Sequence, residues 1–142
     1  MPKQTDALDK TLELVVLLGE DMTQSLARDG LSVPRANLVW LLHHGGPQTQ
    51  AALAAALNVT PRNVTGLVDG LVSGGYVERS PHPTDRRALL VSLTEHGGSV
   101  LADMERQHVA LARSLFSGMR DLEAFTAGLD HVLSRLRAEL AA

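Results

Sequence analysis

The basic side chains between residues 49 and 94 are all arginines: Arg62, Arg79, Arg86 and Arg87. This block has four basic and three acidic residues, for a net charge of +1. Residues 1–48 and 95–142 each carry a net charge of −2. Because these arginines lie in a predicted helix and a predicted β-hairpin, where DNA would lie, the pattern favours nucleic-acid binding over a merely solvated surface.

Histidines are the other side chains that could do chemistry. His43 and His44 are adjacent, and neighbouring side chains on a helix point about 100° apart, so they make poor joint metal ligands. The chain has no cysteine, which excludes disulfides, thiolate metal sites and thiol redox sensing. It also lacks the His-Glu-x-x-His motif, a nucleophile elbow and a phosphate-binding glycine loop. We therefore predict neither a metal or cofactor site nor enzymatic activity.

The segment TPRNVTGLVDGLVSGG predicts a short amphipathic helix. Thr60 is a favourable N-cap, Pro61 suits the first helical position, and Gly74-Gly75 ends the helix. The apolar face follows helical spacing and consists of Val64, Leu67, Val68, Leu71 and Val72. The opposite face is polar or lacks a side chain, and it consists of Arg62, Asn63, Thr65, Gly66, Asp69 and Gly70.

A second short helix is predicted just before it, from about Gln50 to Leu57. Its alanines permit close helix packing, and Asn58 tolerates the left-handed conformation that a tight turn needs. Two short helices joined in this way predict a helix-turn-helix whose second helix enters a DNA major groove.

A two-stranded β-hairpin is predicted next, with strands from Tyr76 to Ser80 and from Ala88 to Leu93. Two prolines stiffen the basic tip between them. We expect Asp85 to hold an adjacent arginine by a charge-assisted bond and to orient it towards phosphate or a minor groove.

The run VTPRNVTGLVDGLVSGGYVERSPHPTDRRALLVSLTEHG resembles the MarR family of bacterial winged-helix regulators, and Asp85-Arg86-Arg87 followed by Leu93-Thr94 is similar to its wing signature. The resemblance implies an all-α fold with a small β-wing, a winged helix-turn-helix on a helical dimerisation frame. It also implies a homodimeric transcriptional regulator, most often a repressor, on an inverted-repeat operator in double-stranded DNA. The DNA contacts implied are Thr60, Arg62, Asn63, Thr65, Arg79, His82, Arg86 and Arg87. The family often has basic residues where this chain has Gly66 and Gly70.

Long helices are predicted on both sides of this unit. The first, from Asp6 to Arg28, is apolar on two faces. Thr94 caps the next, which carries a heptad seam of Leu101, Met104, His108, Leu111 and Leu115. We divide the chain into an N-terminal part of the frame (1–33), a DNA-binding lobe (34–94) and a C-terminal part of the frame (95–142). A helical hairpin within a monomer is the alternative to dimerisation.

The predicted hinge between the frame and the lobe lies near Trp40, His43 and His44, with the two histidines in a loop that runs to Pro47. We predict a ligand pocket there, and the resemblance suggests small aromatic acids. The chain begins unlike a signal peptide, and its longest apolar run, Ala51 to Leu57, is too short to span a bilayer. We expect a cytoplasmic protein without a membrane partner. Two alternatives stay open: a metal sensor using His43, His44 or His108, and a winged-helix module that binds protein instead of DNA.

Overall fold

The computed structural model describes residue 1 and residues 3–142, which form six helices and three short strands. The predicted fold class, all-α with a small β-wing, is confirmed. In chain order the elements are α1 (Gln4–Arg28), α2 (Val33–Gly45), β1 (Gln48–Thr49), α3 (Gln50–Leu57), α4 (Pro61–Ser73), β2 (Val77–Pro81), β3 (Leu89–Leu93), α5 (Glu95–Phe116) and α6 (Leu122–Ala141).

The helix-turn-helix has the local geometry that its sequence predicts. The Thr60 hydroxyl accepts a hydrogen bond from the Asn63 N–H at 3.1 Å and caps α4. Asn58 ends α3 in the left-handed region, with φ 55° and ψ 47°. Gly75, after the end of α4, also has a positive φ of 78°. These caps and turns satisfy backbone groups at the helix ends, and they fix the direction in which α4 leaves α3.

The sheet has three strands, whereas the sequence predicted two. Strands β2 and β3 form the expected antiparallel hairpin, with Val77 opposite Leu93 and Pro81 opposite Leu89. The two residues of β1 pair with the other edge of β3, which gives the strand order β1-β3-β2. A strand of two residues shows no alternation that a sequence pattern could reveal.

The predicted loop from His43 to Pro47 is also corrected. Helix α2 continues to Gly45, so His43 and His44 lie in its last turn. Gly46 follows with a φ of 74°, and β1 starts two residues later. The histidines are therefore held on a helix that begins at the Ser32 N-cap.

An aliphatic core holds helices α2 to α5 and the sheet together, as the composition predicted. Its fully buried large side chains come from α2 to α5 and both hairpin strands: Leu38, Val39, Leu53, Val64, Val68, Leu71, Val77, Val91 and Leu101. Burying a side chain of this size stabilises a fold by about 1.5–3 kcal/mol. The core thereby fixes helix α4 against α2, α3 and the sheet.

The first turn of helix α5 lies close to the backbone of Tyr76, in the short segment between α4 and β2. A Cβ added to Gly97 would lie 2.1 Å from the carbonyl oxygen of Tyr76, whereas one added to Gly98 would meet nothing within 4 Å. The Thr94 hydroxyl accepts from the Gly97 N–H at 3.0 Å. Only glycine at position 97 allows the first turn of α5 to approach the chain at Tyr76.

The chain divides into two compact units, residues 1–103 and residues 104–142. The second unit has no buried side chain, although Phe116 and Phe125 lie in contact with ring centroids 5.7 Å apart. In the first unit, α1 exposes a set of large apolar side chains: Leu8, Leu12, Leu14, Val15, Val16, Leu17, Leu18 and Met22. No helix within residues 3–142 is both long and apolar enough to cross a membrane.

Candidate nucleic-acid interface

The outer face of α4 carries the residues predicted to contact DNA. Thr60, Arg62 and Asn63 are exposed around the N-terminus of the helix. Thr65 is exposed as well, but its hydroxyl donates to the Pro61 carbonyl at 2.9 Å and accepts from the Gln50 side chain at 3.3 Å. Its remaining capacity for DNA is one lone pair and a methyl group. The donors with the greatest freedom on this face are therefore Arg62 and Asn63.

Arg79 lies on β2 and makes three polar contacts with the helix-turn-helix. Its guanidinium donates to the Asp69 carboxylate at 2.6 Å, to the Gln50 side-chain oxygen at 2.7 Å and to the Thr65 carbonyl at 3.4 Å. The Arg79 side chain is 25% exposed and Asp69 is 61% exposed. These bonds join strand β2 to helices α3 and α4. They also use guanidinium N–H groups of Arg79 that the sequence analysis expected to contact DNA.

A compact hydrogen-bonded turn forms the wing tip. The His82 Nδ1 accepts from the backbone N–H groups of Thr84 at 3.2 Å and of Asp85 at 3.1 Å. His82 was predicted as a DNA contact, and its ring also holds the turn together.

Asp85 orients the tip in a different way from the one expected. Its carboxylate accepts from the backbone N–H of Arg87 at 3.0 Å, and its carbonyl accepts from Ala88 at 3.1 Å. The expected bond was to an arginine side chain. Both Arg86 and Arg87 are exposed at the tip, so their guanidinium groups extend into solvent from a fixed backbone.

Trp40, His43 and His44 come together on one side of α2, at the spacing i, i+3 and i+4. The Trp40 and His44 rings are stacked with centroids 5.3 Å apart, and His43 meets Trp40 edge-on at 5.6 Å. An open groove of about 270 Å3 lies elsewhere, on α6, and is lined by His131, Val132, Arg135, Leu136 and Glu139. Across residues 3–142, no group of three His, Asp or Glu side chains could hold a metal ion.

Sequence reasoning missed Gln50 and Asp69 as parts of this site. Asp69 lies one turn after Thr65 on the polar face of α4, which was a usable signal for a shared partner. Gln50 is 29 residues from Arg79 in the chain, and only the fold brings the two together. No local pattern would have identified that contact.

An exposed polar helix beside a basic β-hairpin defines a winged-helix DNA-binding protein. The model of the MarR family matches residues 31–89, from the third residue after α1 to the first residue of β3. The chain is 32% identical to the HTH-type transcriptional regulator ML2140 of Mycobacterium leprae, over 65% of this chain and 67% of that protein. It is 34% identical to YfiV of Bacillus subtilis, over 60% of this chain and 54% of that regulator.

The solved structure of AbsC, a MarR family transcriptional regulator from Streptomyces coelicolor, superposes with a TM-score of 0.75 at 25% identity, covering 99% of this chain and 97% of AbsC. The chain belongs to the MarR family, whose members are transcriptional regulators and not enzymes. The aligned part spans about half the length of the first curated relatives.

Proposed function

We propose that this protein is a homodimeric transcriptional repressor that binds inverted-repeat operators and is released by a small ligand. The main support for DNA binding is the exposed face of α4, which presents Arg62 and Asn63. Within the described part of the chain, neither side chain is paired with an acidic residue. In a major groove these side chains reach base edges, while Thr60 and the helix N-terminus meet phosphate. Arg86 and Arg87 reach the neighbouring backbone or minor groove from the wing.

Dimerisation is supported by the apolar surface that a single chain leaves uncovered. Residues 104–142 bury no side chain, and Leu111 and Leu115 continue the heptad seam with 36% and 51% of their surface exposed. Helix α1 exposes a second set of large apolar side chains. Because large exposed apolar surfaces are typical of interfaces, a second copy of the chain is the partner we propose.

Sedimentation at micromolar concentration tests the dimer, which should have twice the 15.2 kDa mass of one chain. Leu115→Glu should dissociate it, because a carboxylate in an apolar seam is costly to bury. Arg113→Glu is the matched control, since it places a glutamate on the opposite side of α5. A parent protein that sediments as a monomer would refute the dimer.

Two identical recognition helices require a two-fold symmetric site. We expect half-site centres about 10–10.5 base pairs apart, or a multiple of that spacing. Selection of genomic fragments bound by the protein, followed by footprinting, would reveal the operator. Arg62→Ala and Asn63→Ala should each reduce discrimination at particular base pairs by about 1–3 kcal/mol. Protection of a single unrepeated half-site would contradict this model of binding.

For release, we propose a small aromatic ligand that binds near the cluster of Trp40, His43 and His44. The contacts among the three rings at the end of α2 support a binding site at this position, because aromatic rings favour stacking with a flat ligand. Titration of aromatic acids should change the fluorescence of Trp40, the one tryptophan, and weaken DNA binding. Release that instead depends on a metal and is reversed by a chelator would contradict the proposal. As a regulator of chromosomal genes, the protein would work in the cytoplasm.

A further inference from the structure

The outer face of α4 carries glycine at positions 66 and 70, but the two positions differ in their surroundings. A Cβ added to Gly66 would meet nothing within 4 Å. A Cβ added to Gly70 would lie 2.3 Å from Nη2, 2.6 Å from Cζ and 2.7 Å from Nε of Arg35. The guanidinium of Arg35 therefore occupies the space where any other residue at position 70 would place its side chain.

Arg35 reaches this place from a different helix. It lies in the first turn of α2, directly after Ser32 caps that helix and Val33 and Pro34 begin it. At about 100° per residue, Gly70 lies on the side of α4 that also carries Asn63, whereas Thr65 and Asp69 lie on the other side. The exposed face of α4 is thus flanked by an arginine from α2 on one side and by Arg79 from β2 on the other.

The two flanking arginines differ in their partners. Arg79 is paired with the Asp69 carboxylate at 2.6 Å, which neutralises its charge. Arg35 is half-buried, and within the described residues only its backbone N–H has a hydrogen-bond partner, the Ser32 hydroxyl. A partly exposed guanidinium without a carboxylate partner retains its N–H donors for an external anion.

We propose that Arg35 is a DNA-contacting residue, which donates to a backbone phosphate beside the groove that α4 enters. Gly70 is the matching part of this arrangement, because a side chain there would displace the guanidinium from α4. Arg35 thereby supplies from α2 a positive charge that the glycines do not supply from α4. The inference rests on the DNA-binding function and adds a residue outside the helix-turn-helix and the wing to the interface.

The experiment measures binding to a genomic fragment selected by the parent protein and to a scrambled duplex of equal length, across a salt series. Arg35→Ala should weaken both duplexes by a similar factor and reduce the slope of log K against log salt by about two for a dimer, because each lost phosphate contact removes about 0.9. Arg35→Lys should keep most of the slope. Arg120→Ala, which removes an exposed arginine from the turn before α6, is the charge control and should leave the slope unchanged.

Gly70→Ala provides an independent test that removes no charge. It should displace the guanidinium and weaken both duplexes in the parent, but have no further effect in the Arg35→Ala background. Gly98→Ala is the matched control, because its methyl group also enters open space, at a position on α5 outside the proposed interface, and it should leave the salt slope unchanged. Thermal unfolding of each variant verifies folding, and if Arg35→Ala fails to fold, Gly70→Ala decides the question.

The inference is wrong if the parent binds both duplexes and either Arg35→Ala or Gly70→Ala binds them equally well with an unchanged slope. Loss of affinity for the selected fragment alone would also overturn it, because a phosphate contact carries no sequence preference. A parent protein that binds no duplex would refute the DNA-binding function itself, which is a separate outcome.

Discussion

The guanidinium of Arg79 donates to the carboxylate of Asp69 across 2.6 Å, so the first strand of the wing is tied directly to the recognition helix. Residues ten positions apart in the chain thereby fix the angle between the two elements that we propose face DNA. An ion pair as exposed as this one contributes little to stability, about 1 kcal/mol or less. Its main effect is to fix the orientation of β2 relative to α4.

We predict that Asp69→Ala weakens DNA binding. If Arg79 mainly positions the wing, loss of its partner should reduce affinity even though a negative charge has been removed from the interface. Fluorescence anisotropy with a selected genomic fragment measures this. Glu78→Ala removes an equal charge from an exposed site on β2 and serves as the electrostatic control. Tighter binding by Asp69→Ala than by Glu78→Ala would show that Arg79 acts as a DNA contact that Asp69 restrains.

The wing tip should contribute to affinity more than to sequence preference. Arg87→Ala should weaken all duplexes by a similar factor, and if the contact is to phosphate, the salt slope should fall by about two for a dimer. Gel-shift titrations of the selected and scrambled duplexes over a salt series measure both quantities. Equal binding by the variant and the parent would leave the wing with a structural role only.

Asp85 should act on DNA through the backbone of the tip. Asp85→Asn retains a side-chain oxygen that can accept from the Arg87 N–H, whereas Asp85→Ala loses it. We therefore expect Asp85→Ala to show a milder form of the Arg87→Ala defect and Asp85→Asn to bind at least as tightly as the parent. The same titrations compare the two variants. An equal defect in both would indicate that the carboxylate charge, rather than the hydrogen bond, matters.

Gly97 should be intolerant of any side chain. Gly97→Ala forces a methyl group against the backbone of Tyr76, and we expect it to lower the free energy of unfolding by about 1–3 kcal/mol. Gly98→Ala should raise it by up to about 1 kcal/mol, because alanine favours the helix and the space is open. Urea unfolding of the two variants checks this contrast. A Gly97→Ala protein as stable as Gly98→Ala would refute the close approach.

Tyr76 should make stability depend on pH in the alkaline range. Its hydroxyl donates to the Asp29 carbonyl, and burial, with a smaller effect of the Asp29 charge, raises its pKa. In the unfolded chain the phenol ionises near pH 10, while the folded protein retains the proton, so this stabilisation is complete below about pH 10 and is lost as the pH rises further. Tyr76→Phe should lower the free energy of unfolding by about 0.5–1.5 kcal/mol at pH 8.

The matched measurement is urea unfolding of the parent and Tyr76→Phe at pH 8 and pH 11. The difference between the two proteins should narrow at the higher pH, because only the parent carries the ionisable phenol at this position. Lysines titrate equally in both proteins and cancel. A constant difference would mean that the pKa of Tyr76 is not raised.

Local chemistry made much of the helix-turn-helix predictable. Thr60 and Pro61 mark the start of α4, and Asn58 marks the turn before it, because capping and left-handed turns depend on residues close in the chain. The features that the sequence did not reveal depend on distant contacts. Pairing of β1 with β3 crosses about 40 residues, and the Arg79–Gln50 bond joins a strand to a helix. The contact between Arg35 and Gly70 depends on how α2 crosses α4.

Residues 104–142 bury no side chain within one chain, so apolar packing inside the segment contributes little to its stability. In the dimer we propose, this segment gains its apolar packing only when a second chain binds, so folding of the segment follows mass action. Its melting temperature should rise with protein concentration, and dilution should expose the segment to proteolysis. The number of copies per cell would then set both operator occupancy and the lifetime of the regulator itself.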